Sequence, residues 1–413
     1  MGETMSHGHH SMELKPEAIR LAENSTWRKL PMIAGIIGLA SLAATMGLAG
    51  DDPKGALLSY LTALMFVISI GVGASFFVTI QFLTRAGWSV VVRRLMENLM
   101  APLFLFIVLF IPILLNLDVI YKWTNPELQN PDSPYFDYLA VVKAPYLNES
   151  FFTGRSIFYL VALAAIGWFF YSRSTGQDES GDKEVTRKLQ FLSAPAIMIL
   201  ALVSTFAAVD WVMTLDFHWF STIFGVYWFA GSFLVALCTT ILLVLGLKKS
   251  GLLDGVVTVE HYHDLGKLTF GFVVFWTYIA FSQYFLIWYA NIPETTMWFG
   301  LRLDGTWSGA SVLLALGHFV IPFAFLMPRT LKRIPLTLGI AAAWLVFMHY
   351  LDMYWLIMPT AHPEGPQPGL IDLTALLGVG GLYFAVFGWA LGRRALIPEK
   401  DPRLPESLAF ENF

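Results

Sequence analysis

Apolar residues in this chain gather into long runs separated by short polar stretches, and ten of the runs are long enough to cross a bilayer. A crossing helix needs about 20 residues, with a range of roughly 17–25. The runs cover approximately residues 30–49, 56–83, 98–119, 155–172, 190–213, 219–247, 267–290, 308–328, 334–357 and 373–392. The pattern predicts an all-α integral membrane protein with ten transmembrane helices over residues 30–397. A polar N-terminal segment, 1–29, and a C-terminal tail, 398–413, flank it.

Composition agrees. Apolar residues make up 56% of 413 and charged residues only 14%, where soluble domains carry about one quarter charged residues; the mean hydropathy is +0.61. Ten spans put both termini on one side, together with the loops after spans 2, 4, 6 and 8. Of the 26 basic residues, all but Lys54, Lys122, Lys143, Arg155 and Arg302 fall on that side, so the positive-inside rule places both ends in the cytoplasm. Topology therefore accounts for basic loops such as RAGWSVVVRR and LKRIP, and the net charge of −4 gives no reason to expect a nucleic-acid partner.

The first apolar run begins near residue 30 and is long enough to span, so no signal peptide is expected. His7, His9 and His10 read as part of a polar tail rather than a metal site, and residues 13–22 read as a short surface helix. The long loop after span 3 is rich in Pro, Asn, Asp and aromatic residues, and too apolar to be a tether; it should pack on the outer surface or against a partner. The inner loop STGQDESGDKEVTRK is polar and reads as mobile. One cysteine, Cys238, excludes an internal disulfide and an iron–sulfur cluster held by this chain. There is no P-loop and no dinucleotide-binding glycine motif.

Chemistry enters through the ionisable residues inside the runs. Asp210 lies near the outer boundary of span 5, with Asp216 and His218 just beyond it. Span 7 carries Ser282 and Gln283 in its outer half and Glu294 at its exit. Span 9 carries His349 about 12 Å and Asp352 about 8 Å below its outer end, at 1.5 Å per residue. His318 of span 8 sits near mid-depth, and the inner half of span 2 offers Ser69, Ser75, Thr79 and Gln81. An ionisable group in a membrane is costly, by roughly 2.5–3.5 kcal/mol on insertion scales, so several at one depth point to a shared hydrated pocket or to mutual pairing. At least three of Asp210, Gln283, His349 and Asp352 are expected to approach a common hydrated pocket between spans 5, 7 and 9, with a hydrogen-bond network joining helices as the structural alternative. Histidine suits proton handling, because its unperturbed pKa near 6.5 lets it load and release at physiological pH. His318 and His349 could also ligate a b haem, but helices packed about 8–10 Å apart leave little room for a porphyrin. Asp118, Asp216 and Glu294, nearer the interface, read as caps or a solvated rim. Asp264 reads as the N-cap of span 7, with His261 and His263 in the flanking loop.

Four stretches carry a resemblance: DWVMTLDFHWFSTIFGVYWFAGSF, HDLGKLTFGFVVFWTYIAFSQYFLIWYANIPE, GHFVIPFAFLMPRTLKR and MHYLDMYWLIMP. They resemble the ActF-type membrane subunits of bacterial alternative complex III, a quinol:acceptor oxidoreductase, within the NrfD/polysulfide-reductase-like membrane family. The resemblance implies two four-helix bundles, spans 2–5 and 6–9, with spans 1 and 10 peripheral, in a bacterial cytoplasmic membrane. It implies as partners a homologous NrfD-like subunit, an iron–sulfur subunit, c-type haem subunits and small membrane subunits, with a terminal oxidase as a further neighbour. Electron carriers then sit in those partners and no cofactor in this chain. The principal quinol site falls to the homologous subunit, leaving a menaquinol or other quinol contact here as an open alternative.

The expected function is thus that of an electron-transport membrane subunit with a proton pathway, and Asp210, Ser282, Gln283, Glu294, His318, His349 and Asp352 are the candidates for the pathway or a quinol pocket. Two other classes compete: a stand-alone secondary transporter, which would show interrupted helices in matching halves, and a purely structural scaffold.

Overall fold

The computed structural model describes residues 15–50 and 52–412, which contain helices and no strand. Ten helices are long and apolar enough to cross a membrane: α1 (Thr26–Leu48), α2 (Pro53–Leu83), α3 (Val90–Leu114), α4 (Glu149–Ser180), α5 (Lys183–Leu215), α6 (Phe224–Lys249), α7 (Val259–Ala290), α8 (Trp307–Leu326), α9 (Pro335–Thr360) and α10 (Leu370–Arg393). His7, His9 and His10 lie outside the described residues; of the expected helix at 13–22, Pro16–Ile19 is helical.

A helix that is apolar on every side has to be surrounded. α2 is such a helix, buried along almost its whole length, and at 31 residues it is about 46 Å long. It packs against α3, α5, α6, α9 and α10. α6, equally apolar, packs against α2, α5, α7 and α9. The remaining helices close around these two: α3 on α4, α4 on α5, α7 on α8 and α8 on α9. α1 leaves most of its surface exposed and is held chiefly by α10.

Small residues set the closest approaches, as packing in lipid requires. A Cβ on Gly73 of α2 would stand 1.9 Å from the Ser232 carbonyl of α6, and one on Gly381 of α10 would stand 2.7 Å from the Cα of Gly38 in α1. These two glycines let backbone meet backbone.

The chain ends meet at one end of the bundle, here the terminal end. The Leu396 N–H donates to the Ile19 carbonyl at 2.7 Å, and Arg20 pairs with Glu399. The loop after α3 does pack on the opposite, far end, burying Tyr121, Trp123 and Leu147, with the Tyr121 hydroxyl donating to the Trp211 carbonyl at 3.0 Å.

Three expectations are corrected. STGQDESGDKEVTRK is no mobile loop: α4 runs to Ser180, Gly181 turns with φ +69°, and Asp182 caps α5 through the Glu184 N–H. A polar composition does not stop a helix when a glycine and a cap lie where the turn is needed. Asp264 is not the cap of α7; Thr258 is, in a capping box with His261, so His261 and His263 belong to the helix. And α3 begins eight residues earlier than its apolar run. Arg93, Arg94 and Glu97, which read as loop charges, are buried at the terminal end. Glu97 accepts from Arg93 at 3.1 Å and Arg94 at 2.7 Å, Arg94 reaches Asp178 at 2.7 Å, and Arg93 reaches Asp401 at 2.5 Å. Mutual pairing is what allows charges into such a place.

Gly73→Val should destabilise the α2–α6 crossing by about 1–3 kcal/mol, the usual cost of overpacking, seen as a lower thermal midpoint in detergent. Gly176→Ala, which meets nothing within 4 Å, should leave the midpoint unchanged or raise it slightly.

Candidate functional site

The sealed polar cluster lies where α2, α6, α7, α8 and α9 meet, in the far-end half of the bundle. α9 brings in His349 and Asp352 one turn apart on one face, and both are buried, at 1% and 0% exposure. Asp352 has no ion-pair partner among the described residues. One of its oxygens accepts from the hydroxyl of Tyr227 on α6, the other from the indole N–H of Trp276 on α7 at 3.3 Å.

His349 reaches across to α2. The Ser69 hydroxyl donates to the Phe66 carbonyl at 2.6 Å, so at 2.9 Å it must accept from Nε2–H of His349. That hydrogen-bond assignment leaves Nδ1 as the free lone pair, and Nδ1 is buried without a partner. Gly231 of α6 makes room for the ring: a Cβ there would stand 2.7 Å from its Cε1.

His318 completes the cluster. It sits in a π-helical turn, Ala315–Val320, of α8, a distortion often found at functional sites. Its ring lies 3.8 Å from that of Trp276 between centroids, and neither nitrogen has a partner. Trp276 thus touches both Asp352 and His318. Among the described residues, no group of three or more His, Cys, Asp or Glu side chains is placed to hold a metal ion.

Asp210 does not join. It is fully buried, but its partners lie on α4 and the loop before it: Arg155 at 2.7 and 3.2 Å, Tyr159 at 3.0 Å and Tyr146 at 3.0 Å. Arg155 also stacks on Tyr146 and Phe151. Burial, then the Asp210 charge, pushes the Tyr146 phenol up to about 12. The expected pocket shared by spans 5, 7 and 9 is therefore corrected. α6 packs between α5 and α9, and Asp210 and Asp352 have no partner in common. Gln283 accepts from Ser221 at 2.8 Å and stands apart from both acids. Ser282 is half-buried and takes no part, and Glu294 is exposed at the far end. In the other half of α2, Ser75 and Thr79 donate to carbonyls of their own helix, while the Gln81 Oε1 is buried without a partner.

Two cavities adjoin the cluster. A groove of about 700 Å³ between α7 and α8 has aromatic and aliphatic walls and a few polar groups, Tyr227, Trp276, Gln283 and Ser311. A smaller one, about 130 Å³, lies beyond Tyr227 toward the far end and is lined by Phe224, Asp216, Lys122 and Arg302. Arg302, on the short helix Pro293–Leu303, is 2% exposed and has no carboxylate in ion-pair range among the described residues. The carbonyls of Trp298, Trp355 and Leu356 hold it at 2.8–3.2 Å. Burial pushes it down to about 9, against the charge of Asp216, so it remains a cation at neutral pH.

Sequence reasoning missed Tyr227 and Trp276, named Ser69 only among the inner-half hydroxyls of span 2, and counted Arg155 and Arg302 only as outer-side charges. Tyr227 and Trp276 looked like membrane aromatics, and only the pairing of α6 and α7 with α9 gives them a task. Arg155 carried a readable signal, as a lone cation within the run beginning near it.

Removing one partner of a buried ion pair leaves an uncompensated charge and costs about 3–5 kcal/mol. Arg155→Gln should lower the thermal midpoint accordingly, and Arg155→Lys should restore only part of it, since one ammonium cannot reproduce both guanidinium contacts with Asp210. Compared with known proteins, the chain matches no family model and no curated protein sequence.

Proposed function

We propose that this chain is the membrane subunit of a respiratory quinol:acceptor oxidoreductase of the alternative complex III type, and that it moves protons through His349, Asp352 and His318. One observation carries the reading: a carboxylate without a cation partner and two imidazoles are sealed together with three ring nitrogens unpaired. A network built only to join helices would satisfy those groups. The four stretches that resemble ActF-type subunits contain all three residues.

The chemistry follows from the donors. The hydroxyl of Tyr227 both donates and accepts: it donates to ionised Asp352 and, by turning, accepts from the neutral acid. Nδ1 of His349 is the acceptor, and Cβ atoms at i and i+3 stand about 5–6 Å apart, within reach of a single bridging water. The positive-inside distribution supports a cytoplasmic terminal end, which puts the cluster in the outer half of a bacterial cytoplasmic membrane. Protons released there with the two electrons of a quinol conserve energy. Iron–sulfur and haem carriers belong to partner subunits in this reading, since the single thiol here, Cys238, is buried and alone. α2–α5 and α6–α9 are read as two four-helix units, each a closed ring of neighbours.

The groove between α7 and α8 favours a quinol contact as well. A head group there would touch Tyr227 and Trp276, the two donors to Asp352, and Gln283 could orient it. A transporter fits less well: 3-10 turns end both α5, at Met213–Leu215, and α9, at Met358–Thr360, but the breaks inside a span fall in α3, at Ala101–Leu105, and in α8, at Ala315–Val320. These are not corresponding positions of the two units.

The test is quinol:acceptor turnover by the complex isolated through this chain, reconstituted in liposomes with an external pH dye. Asp352→Asn keeps shape and hydrogen-bonding capacity but cannot ionise, so assembly should survive while turnover or proton release falls at least tenfold. His349→Gln should behave likewise. Asp352→Leu should also impair folding, because Tyr227 and Trp276 lose their acceptor. Wild-type rates and proton yields from assembled Asp352→Asn would end the proton reading. Lost turnover with unchanged protons per electron would assign this subunit a quinol site instead.

A further inference from the structure

Two cavities offer a way from the cluster to the far end, and they differ in charge. The one beyond Tyr227 contains Arg302, a fixed and almost fully buried cation, with Lys122 on its rim. A proton entering it would approach the Arg302 guanidinium and Lys122, with Asp216 the one carboxylate on that wall; a fixed cation in the way excludes protons from other membrane pores. The other, about 450 Å³, opens where α1, α2 and α10 meet the segment after α9, and its wall includes Asp52, Ser59, His362, Gln367 and Asp372.

We propose that Asp372 forms the exit site for protons from the His349–Asp352 cluster, passing them to the far-end surface through this second cavity. The inference rests on the proton reading of the cluster and names residues that reading does not contain. Asp372 is 5% exposed and has no ion-pair partner among the described residues. One carboxylate oxygen accepts from the Gly369 N–H at 2.8 Å, as a helix cap does. Capping accounts for that oxygen alone. The other is turned inward, where it accepts from the Ser59 hydroxyl of α2 at 2.6 Å.

The hydroxyls of Tyr350 and Tyr354, which follow His349 on α9 toward the far end, are buried without a side-chain hydrogen-bond partner. Both lie in electrostatic range of Asp372, and that of Tyr354 stands beside the Gln367 backbone on the cavity wall. Tyr350 follows His349 in sequence, and Phe66 of α2 packs against both rings, at 5.8 Å from His349 and 5.5 Å from Tyr350 between centroids. Two tyrosines thus follow His349 along α9 toward the far end, both within electrostatic range of a carboxylate on the wall of an open cavity. Asp52 and His362 are the other titratable groups on that wall, and neither is a fixed cation.

The experiment uses the tagged full-length chain, with any subunits that co-purify, in liposomes holding an internal pH dye. A potassium diffusion potential set with valinomycin drives the flux. Wild type should carry proton flux above empty liposomes. Asp372→Asn, which keeps the cap acceptor, should reduce it at least tenfold; Asp372→Glu should recover half or more; Asp216→Asn, in the cavity with Arg302, should stay within twofold of wild type. Tyr354→Phe removes one hydroxyl and should cost at least threefold, and it decides the matter if Asp372→Asn does not fold. Wild-type flux through Asp372→Asn or, should that variant not fold, through Tyr354→Phe would overturn the exit, as would loss of flux in Asp216→Asn. Asp352→Asn separates the two ideas. If it stops the flux while Asp372→Asn does not, only the exit is wrong; if neither does, or wild type carries none, the proton path itself is wrong.

Discussion

Hydrocarbon provides no hydrogen bonds, so every polar group placed in it must be satisfied by the protein or by what the protein binds. This constraint organises the molecule. Asp210 meets it with a guanidinium and two phenols. Arg93, Arg94 and Glu97 meet it by neutralising one another and two further acids. Arg302 meets it with three carbonyls and the face of Trp298, 3.4 Å away. Asp352 meets it only in part, with two neutral donors and no cation.

Those differences separate structure from function. A carboxylate locked to an arginine, like Asp210, holds helices together, and removing either partner strands the other's charge. A carboxylate held by a phenol and an indole can be charged or neutral with the same neighbours. The helices around Asp352 are shaped for it: a π-turn in α8 brings His318 onto Trp276, and Gly231 clears space for His349. The fixed charge of Arg302 lies about one turn beyond Asp352 on the far-end side, which gives the cluster a direction.

The ten spans and their order could be read from the sequence, because the solvent of a membrane helix is written in its composition. Helix ends were less legible. α3 and α7 extend into charged stretches whose partners, Asp178, Asp401 and Asn412 among them, come from distant parts of the chain. Of the candidate site, His318, His349 and Asp352 were found by depth and do come together. Depth alone misplaced Asp210, since residues at one level need not face one another; α6 lies between α5 and α9. Tyr227 and Trp276 were beyond reach for the same reason, as ordinary membrane residues that acquire a role from the helix they face. Asp372 lies just before the run read as span 10 and was not singled out; it caps the first turn of α10, and only its inward oxygen, on Ser59, points to more.

The central claim is that Asp352 exchanges its proton. Infrared difference spectroscopy of the purified protein, titrated in H₂O and in D₂O, measures this directly. A carboxyl band that changes with pH, moves in D₂O and disappears in Asp352→Asn is the predicted result. A spectrum in which the pH-dependent carboxyl band persists in Asp352→Asn would contradict the account.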